Sequence, residues 1–493
     1  MTSPIIQHYA DMEPASTRHP ISDLGHNLVH LLGLSLIAAA LSQAQAVAGE
    51  VPSHQRIFDA QGRQLIPGGF VTLEKLPYTS EDYRRMTRMG AGFQVIRVPM
   101  GLIGAWPETE ADPKAIAHFD ELVRLGREAG MYTVFKLVNY GAKPRGDAFW
   151  EQLWTDSENA QDHLIEGWTR LWVRYKDEPS VFGYDLLNEP TRGNDPNYER
   201  IQSEQLLPLL RRMTDVMHEI SPDKWALFQP LLRKPNDQPG PGRDPVVPIE
   251  EPFGRDRSIY APHLYQMDPE VIAPMLDDLE RQAAISKVPL LLGEWGSPVY
   301  SDTDDRPSEQ QRYTRIYQLT VNEIDQRSIG GIKPWFCGGQ REIPTEKKGR
   351  WMTWSIFSDP SPTGKVERKY LTDVIARPRP IVVAGTLERY RNDFENRRFE
   401  AILNTDSSLG ETEIFIPAER HYPSGFVVEL GSSLSLTLHQ DSLHLEVLSA
   451  TNAMDREQAR HLSWDKSRQR LVIGKWIGEP RTLALRVSPI SRN

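Results

Sequence analysis

The stretch "VFGYDLLNEP" (residues 181–190) has the pattern of a buried strand that ends in polar residues. Its residues are almost all apolar or aromatic, and Asp185 is the only charge before Asn188 and Glu189. A continuous apolar run is typical of a strand covered on both faces, as in a parallel sheet. Asn and Pro are ordinary turn residues, so the end of the run is either a simple loop or a strand tip that holds Glu189 over a pocket. The remainder of the chain decides between these interpretations.

The same kind of apolar strand recurs from about residue 55 onward, and helical segments separate several of the strands. One predicted helix, residues 112–130, has Asp112 as its N-cap, Pro113 in its first turn and Gly130 at its end. Further helices are predicted at 199–220, 270–286 and 307–328. The predicted strands are Leu65–Leu73, Phe93–Val98, Tyr132–Val138, Val181–Leu187, Trp225–Gln229, Ile259–Ala261, Val288–Leu292 and Gly331–Phe336.

Alternating strands and helices predict a parallel sheet. Eight such units over about 320 residues fit an α/β fold of the (β/α)8 TIM-barrel class, which we assign to residues 47–378. A doubly wound sheet is the alternative. No glycine-rich phosphate loop follows the first strand, so the ligand that such a sheet usually binds is not expected.

The pattern changes after the proline-rich junction "RPRPIVV" (residues 377–383). Apolar residues then alternate with polar ones in three short runs, which predicts antiparallel strands joined by tight turns. We therefore expect a small antiparallel β-sandwich domain at residues 379–493. The alternating residues are Leu434, Leu436 and Leu438, then Leu443, Leu445 and Val447, and finally Leu483, Leu485 and Val487.

The first 46 residues resemble a signal segment. An apolar run at 28–42 precedes Ala44-Gln45-Ala46, a small-residue cleavage pattern, but the stretch before the run carries few basic residues. Export to the periplasm or the medium is one expectation, and an uncleaved N-terminal segment is the other. The run is too short, and too interrupted by His30, for an integral membrane span.

Composition excludes several functions. The 57 basic and 67 acidic residues give a net charge of −10, which disfavours nucleic acid as a partner. Cys337 is the only cysteine, so an intramolecular disulfide and a cysteine-rich zinc motif are both excluded. No cofactor and no metal is predicted, and nothing in the sequence specifies an oligomeric state.

Polar or aromatic residues follow the ends of several predicted strands, where barrel enzymes carry their chemistry. Taken singly, each of these residues has a non-functional interpretation. Arg97 could be a solvated charge on a loop, His263 a core histidine and Trp335 a side chain that only packs. Carboxylates that end buried strands are costly unless they are paired or functional. The complete set at one barrel mouth would be Arg97, Asn188, Glu189, His263, Tyr265, Glu294 and Trp335.

Two facing carboxylates are what cleavage of a glycosidic bond needs. One protonates the leaving oxygen, and the other attacks the anomeric carbon or activates a water molecule. A separation of about 5–5.5 Å gives retention, and a wider separation gives inversion. Glu189 and Glu294 would follow the fourth and seventh strands, on opposite sides of the mouth.

"LLNEP" (186–190) and "LLGEWG" (291–296) resemble the catalytic motifs of glycoside hydrolase family 5, and the resemblance extends over residues 55–376. "GGFVTLEKLPY" (68–78) and "ARPRPIVVAGT" (376–386) resemble the endoglycoceramidase and glycosylceramidase subgroup more closely.

The resemblance implies a retaining mechanism with Glu294 as the nucleophile and Glu189 as the general acid/base. It also implies substrate-binding roles for five residues and requires no metal or cofactor. Arg97 and Tyr265 would keep Glu294 ionised, Asn188 would bind the sugar 2-hydroxyl, His263 would orient Glu189, and Trp335 would lie under the sugar.

The third strand departs from the family pattern. The family usually carries a His there, often in an Asp-x-His segment, whereas this chain has "VFKLVNYGAK" (134–143), with Lys136, Val138 and Asn139 in that neighbourhood. Either Lys136 takes part in the altered sugar subsite or it is a structural residue with a buried stem. Asn139 and Tyr140 are candidates for the missing contact.

The sequence therefore predicts a retaining β-glycosidase, with two substrate classes open. One is a glycosylceramide-type glycolipid, and the other is a β-glucan or β-mannan; a non-catalytic carbohydrate-binding barrel is the alternative from another functional class. A ceramide site needs an apolar trough. Four aromatic residues could form that trough, line a polysaccharide groove or simply pack loops: Trp106, Phe149, Trp150 and Trp154.

Overall fold

A computed structural model describes most of the chain. The predicted signal segment and its cleavage site lie outside the described residues. These are 56–234, 246–338, 341–342, 351–359, 366–439, 442–478 and 482–490.

Eight parallel strands form the barrel. They are β1 (Gly68–Thr72), β2 (Phe93–Pro99), β3 (Tyr132–Val138), β4 (Val181–Asp185), β5 (Trp225–Phe228), β6 (Ser258–Tyr260), β7 (Leu291–Leu292) and β8 (Gly330–Lys333).

The sheet closes on itself. Consecutive strands pair from β1 to β6, and β8 lies between β7 and β1. A parallel bridge joins Tyr260 to Leu290, and the Tyr260 amide donates to the Pro289 carbonyl at 3.0 Å. This bridge connects β6 to the segment entering β7. The predicted barrel is confirmed, and the doubly wound alternative is wrong.

The helices around the barrel follow the sequence pattern closely. Helix Pro113–Glu128 begins where predicted, with the Asp112 carboxylate accepting from the Lys114 amide at 2.9 Å. Gly130 follows the helix with a φ of 70°, a conformation that glycine adopts at little cost. The described α-helices of seven or more residues are Ser80–Thr87, Pro113–Glu128, Asp147–Trp154, Ala160–Tyr175, Leu207–Ile220, Ile272–Ser286, Pro307–Gln326, Lys369–Ile375 and, in the second domain, Ala453–Ala459.

The first predicted strand, Leu65–Leu73, is in fact two strands. Gln64–Leu65 pairs with Arg379–Val383 of the second domain, and only Gly68–Thr72 belongs to the barrel. Pro67 lies between the two, and a proline cannot donate to a central sheet ladder. Pro67 was the sequence signal for this division, and the strand prediction over residues 65–73 overlooked it.

The second domain consists of two six-stranded antiparallel sheets. In sheet order, the first contains Ile57–Phe58, Gln64–Leu65, Arg379–Val383, Thr412–Phe415, Arg470–Ile473 and Leu462–Asp465. The second contains Gly385–Asp393, Arg398–Thr405, Thr482–Pro489, Gly425–Leu430, Leu434–His439 and Glu446–Ala450. The chain on either side of the barrel therefore contributes to one sheet.

The predicted alternation holds for two of the three runs in this domain. The apolar side chains of Leu434–His439 and Thr482–Pro489 are buried in its core. Leu443 and Val447 are instead 56% and 51% exposed. Val447 belongs to Glu446–Ala450, the outermost strand of its sheet, and the first four residues of this strand are all exposed.

A buried ion pair lies where the barrel meets the second domain, and Asn392 of the second domain contacts it. Arg377 makes two hydrogen bonds to Asp325, one of them at 2.7 Å, and the Asn392 amide donates to the same carboxylate at 2.8 Å. The Asp325 and Arg377 side chains are 0% and 7% exposed. Removing either partner would leave a buried charge without compensation.

We therefore expect Asp325→Ala to lower the free energy of unfolding by about 3–5 kcal/mol. Denaturant titration followed by circular dichroism measures this loss. Asp215→Ala is the matched control, because Asp215 also binds one arginine, Arg255, but both side chains are more than a third exposed. Its loss should be no more than about 1 kcal/mol, and equal losses in the two variants would contradict the prediction.

Candidate active site

Glu189 and Glu294 meet at the carboxyl end of the barrel, with His263 between them. Glu294 begins a short strand, Glu294–Gly296, that pairs in parallel with His263–Tyr265 and places Glu294 beside His263. His263 Nδ1 lies 3.0 Å from Glu189 Oε1 and 3.9 Å from Glu294 Oε2, so these two oxygens are at most about 7 Å apart. A separation within this limit is compatible with the carboxylate spacing of retaining glycosidases, and it excludes most of the wider spacing found in inverting ones.

The backbone at Glu189 is strained and well supported. Its φ is 48°, a left-handed conformation that is uncommon outside glycine. The Glu189 amide donates to Gln229 Oε1 at 2.9 Å, and Gln229 Nε2 donates to the Asp185 carboxylate at 2.9 Å. Trp335 also has a positive φ, of 46°. Strain of this kind is concentrated at functional sites, where surrounding contacts hold it.

Glu294 is held as a carboxylate by two donors. Lys136 Nζ lies 2.9 Å from Oε1, and the Tyr265 hydroxyl donates to Oε2. Burial alone would raise the pKa of Glu294, but Lys136, His263 and Tyr265 together lower this pKa to about 2. Glu294 is therefore ionised throughout the neutral range.

Lys136 is buried in the barrel, and its ammonium group lies close to Glu294, His263 and Asp185. It is 1% exposed, and its Nζ is also 3.1 Å from His263 Nε2 and 3.5 Å from Asp185 Oδ2. Burial raises the pKa of Asp185, and the nearby Lys136 opposes that rise. The stem of Lys136 is buried, as one interpretation of the sequence required, but its ammonium group belongs to the site.

The strand register could have revealed this arrangement. Lys136 is the register partner of Arg97 on β2 and of Asp185 on β4. Register neighbours in a parallel sheet project to the same face. Aligning the three predicted strands would therefore have placed these charges in one row.

Arg97 faces Glu294 but makes aromatic contacts instead of an ion pair with it. Its guanidinium lies 5.0 Å from the Tyr140 ring centre and 5.9 Å from that of Trp335, within the range of cation–π contacts. Among the described Lys and Arg side chains, Lys136 and not Arg97 is within 4.0 Å of Glu294.

Trp354 is a site residue that sequence reasoning missed. Its ring contacts Trp335 edge-on at 5.3 Å and Tyr265 at 6.0 Å. It lies in the segment that follows the eighth strand, where no strand or helix pattern signals its position. Together, Trp335 and Trp354 form an aromatic corner next to the two carboxylates.

Asn188 has an unused acceptor in the site. Its backbone amide donates to the Leu137 carbonyl at 3.0 Å, which fixes the residue, but its side-chain Oδ1 is buried and has no hydrogen-bond partner among the described residues. The indole Nε1 of Trp354 has no such partner either within those ranges. Buried polar atoms are normally satisfied, so both atoms are candidates for contacts with a ligand.

The four aromatic residues proposed for a trough or groove pack loops instead. All are at most 5% exposed. Trp106 contacts Phe149 at 4.3 Å, and Trp150 stacks on Trp154 at 5.6 Å. The indole groups of Trp106 and Trp154 donate to backbone carbonyls at 2.9 Å. The interpretation as an exposed apolar trough, or as a groove wall, is wrong for these residues.

The described ranges hold neither a candidate metal cluster nor a candidate membrane-spanning helix. They contain no group of three or more His, Cys, Asp or Glu side chains arranged to hold a metal ion. No helix within them is long and apolar enough to cross a membrane.

Comparison with known proteins agrees with this geometry. Residues 61–332 match the family model described as cellulase (glycosyl hydrolase family 5). Residues 377–473 match the glycoside hydrolase family 5 C-terminal domain. The barrel match alone covers more than half of the chain.

Individual relatives are distant. Endoglycoceramidase I from Rhodococcus hoagii is 22% identical over 320 residues, which cover 59% of this chain and 56% of that protein. Mannan endo-1,4-beta-mannosidase 7 from Oryza sativa subsp. japonica is 20% identical, over 55% of this chain and 84% of its own. The structure of endo-glycoceramidase II from Rhodococcus sp., in a cellobiose-like imidazole complex, superposes with a TM-score of 0.65 and 19% identity over 89% of this chain and all of that one. The chain belongs to glycoside hydrolase family 5, and its barrel is a glycosidase domain of that family.

Proposed function

We propose that this protein is a retaining β-glycosidase with Glu294 as the nucleophile and Glu189 as the general acid/base. The proposal depends on one observation: both carboxylates lie within 4 Å of the same histidine nitrogen, His263 Nδ1. Glu294 is ionised and Lys136 and Tyr265 bind its two oxygens, which suits a nucleophile. Glu189 Oε1 lies 3.0 Å from His263 Nδ1, and this contact orients the Glu189 carboxyl group for proton transfer.

The reaction then has two steps. The Glu294 carboxylate attacks the anomeric carbon while the bond to the aglycone oxygen breaks, and Glu189 gives that oxygen its proton. Water next attacks the anomeric carbon, Glu189 takes a proton from the water, and the ester bond to Glu294 breaks. Two inversions leave the β-configuration unchanged. Asn188 would bind the sugar 2-hydroxyl, and Trp335 would lie under the sugar ring.

We propose a glycosylceramide-type glycolipid as the substrate. The support is the similarity to endoglycoceramidase I in sequence and to endo-glycoceramidase II over both domains of the fold. A β-glucan or β-mannan is the second candidate, which the similarity to the rice mannosidase favours.

Hydrolysis of glycosylceramides in detergent micelles tests both parts of this proposal. We expect release of free ceramide and, in early NMR spectra, the β-anomer of the liberated sugar, because two displacements retain configuration. β-Glucan and β-mannan are the comparison substrates. Preferential cleavage of either polymer would contradict the glycolipid assignment, and an α-anomer as first product would contradict the retaining mechanism.

A further inference from the structure

Lys136 is a buried cation placed between two buried carboxylates. Its Nζ is 2.9 Å from Glu294 Oε1 and 3.5 Å from Asp185 Oδ2, and the Lys136 and Asp185 side chains are each 1% exposed. Two amide hydrogen bonds from Gln229 hold Asp185 in place. Because the contact to Glu294 is shorter, the ammonium group interacts chiefly with the atom that carries the proposed chemistry.

We propose that Lys136 is a positioning residue that acts through Glu294 and controls the second step, the release of the sugar from the enzyme. This inference rests on the proposed function, and it assigns a role that the family pattern does not predict for this position. Lys136 does not contact the anomeric carbon in this assignment. Its effect is electrostatic, and it changes with the charge of Glu294 during the cycle.

The charge balance explains why the two steps respond differently. In the first step Glu294 becomes a neutral ester, so Lys136 loses the charge it was bound to. In the second step the ester bond breaks and its electron pair returns to Glu294, which restores the ion pair. Lys136 therefore stabilises the departing carboxylate, while the same stabilisation makes the free carboxylate a weaker nucleophile.

Asp185 limits this effect. It shares the ammonium group with Glu294, and without Asp185 the positive charge of Lys136 would be less compensated near a sugar that is itself becoming positive. Removing Lys136 alone would leave two carboxylates buried together, which is expensive. A double variant, Lys136→Met with Asp185→Asn, removes one charge of each sign and keeps the net charge of the site.

Kinetics on aryl β-glycosides with good leaving groups test the proposal. In Lys136→Met we expect kcat and KM to fall together, by about 10- to 100-fold, because the loss of a charged hydrogen bond slows the second step and the glycosyl-enzyme accumulates. A pre-steady-state burst of phenol, and a sugar adduct on Glu294 in the mass spectrum, should accompany the fall. The double variant should show the same burst.

The pH profile gives a second measurement. Lys136 lowers the pKa of Glu294, so its removal should move the acid limb of kcat/KM to higher pH by about 1–3 units. Protonated Glu294 cannot attack, and this protonation would then occur at a higher pH. The other titratable or charged groups that face Glu294 remain in the variant: Arg97, Asp185, Glu189, His263, Tyr265 and Lys333.

Lys224→Met is the matched control. Lys224 is also buried, and it lies just before β5, at the opposite end of the barrel strands from the site. Its ammonium group donates to the Glu178 carbonyl and pairs with Asp223. It should lose stability without a burst or a shifted acid limb. A folded Lys136→Met or double variant with wild-type kcat, KM and acid limb would overturn the role of Lys136. If a 2-deoxy-2-fluoro β-glycoside, whose glycosyl-enzyme breaks down slowly, leaves no sugar on Glu294 of an active wild-type enzyme, the proposed function itself fails.

Discussion

Glu294→Gln is expected to lose turnover of aryl β-glycosides by at least about 10³-fold, whatever the leaving group. A neutral amide cannot displace the aglycone, and no other described carboxylate is hydrogen-bonded to both Lys136 and Tyr265. The measurement is kcat/KM on a panel of 4-nitrophenyl β-glycosides, together with the melting temperature to show that the variant is folded. A folded variant with full turnover would contradict the nucleophile assignment.

A smaller side chain at this position separates loss of chemistry from loss of structure. In Glu294→Gly, added azide can occupy the space of the missing carboxylate and attack the anomeric carbon directly. A single displacement inverts the configuration, so the expected product is an α-glycosyl azide. Azide should have no such effect on Asp215→Gly, which alters an exposed carboxylate remote from the site.

Much of the barrel was predictable because its signals are local. Each buried strand is a short apolar run, and capping residues in the sequence mark both ends of the helix after Asp112. The pairing of Gln64–Leu65 with Val382 was not predictable, since it joins residues that are far apart in sequence. Neither was the exposure of Val447, because alternation identifies a strand and not what lies against its faces.

The residues of the candidate site likewise fall into those that local sequence predicts and those that only the folded structure reveals. Residues that directly follow a predicted strand, such as Glu189, could be placed at the mouth because parallel strands end on one side. Predicting the partner of Lys136 would have required the register between strands. Predicting the position of Trp354 would have required the path of a segment that has no regular secondary structure. Trp106 shows the opposite failure, because an aromatic residue near a site is more often packing than a binding surface.

Glu189→Gln is expected to produce a loss that depends on the leaving group. For alkyl or glycosyl leaving groups, which need a proton, turnover should fall by about 10²–10⁴-fold. For 2,4-dinitrophenol, which leaves without a proton, the first step should remain fast and the glycosyl-enzyme should accumulate. The Glu189 backbone keeps its bond to Gln229, so the loop geometry is preserved.

The second step identifies the role of Glu189 most directly. Without Glu189 no group activates the water, but azide needs no base, so it should restore turnover and yield a β-glycosyl azide. This product has the opposite configuration to the one expected from Glu294→Gly, because it arises by attack on the covalent intermediate. Asn188→Ala is the contrasting variant, since a lost sugar contact weakens catalysis alike for every leaving group. An equal loss for all leaving groups in Glu189→Gln, without azide rescue, would remove Glu189 from the acid/base role and return it to that of a binding residue.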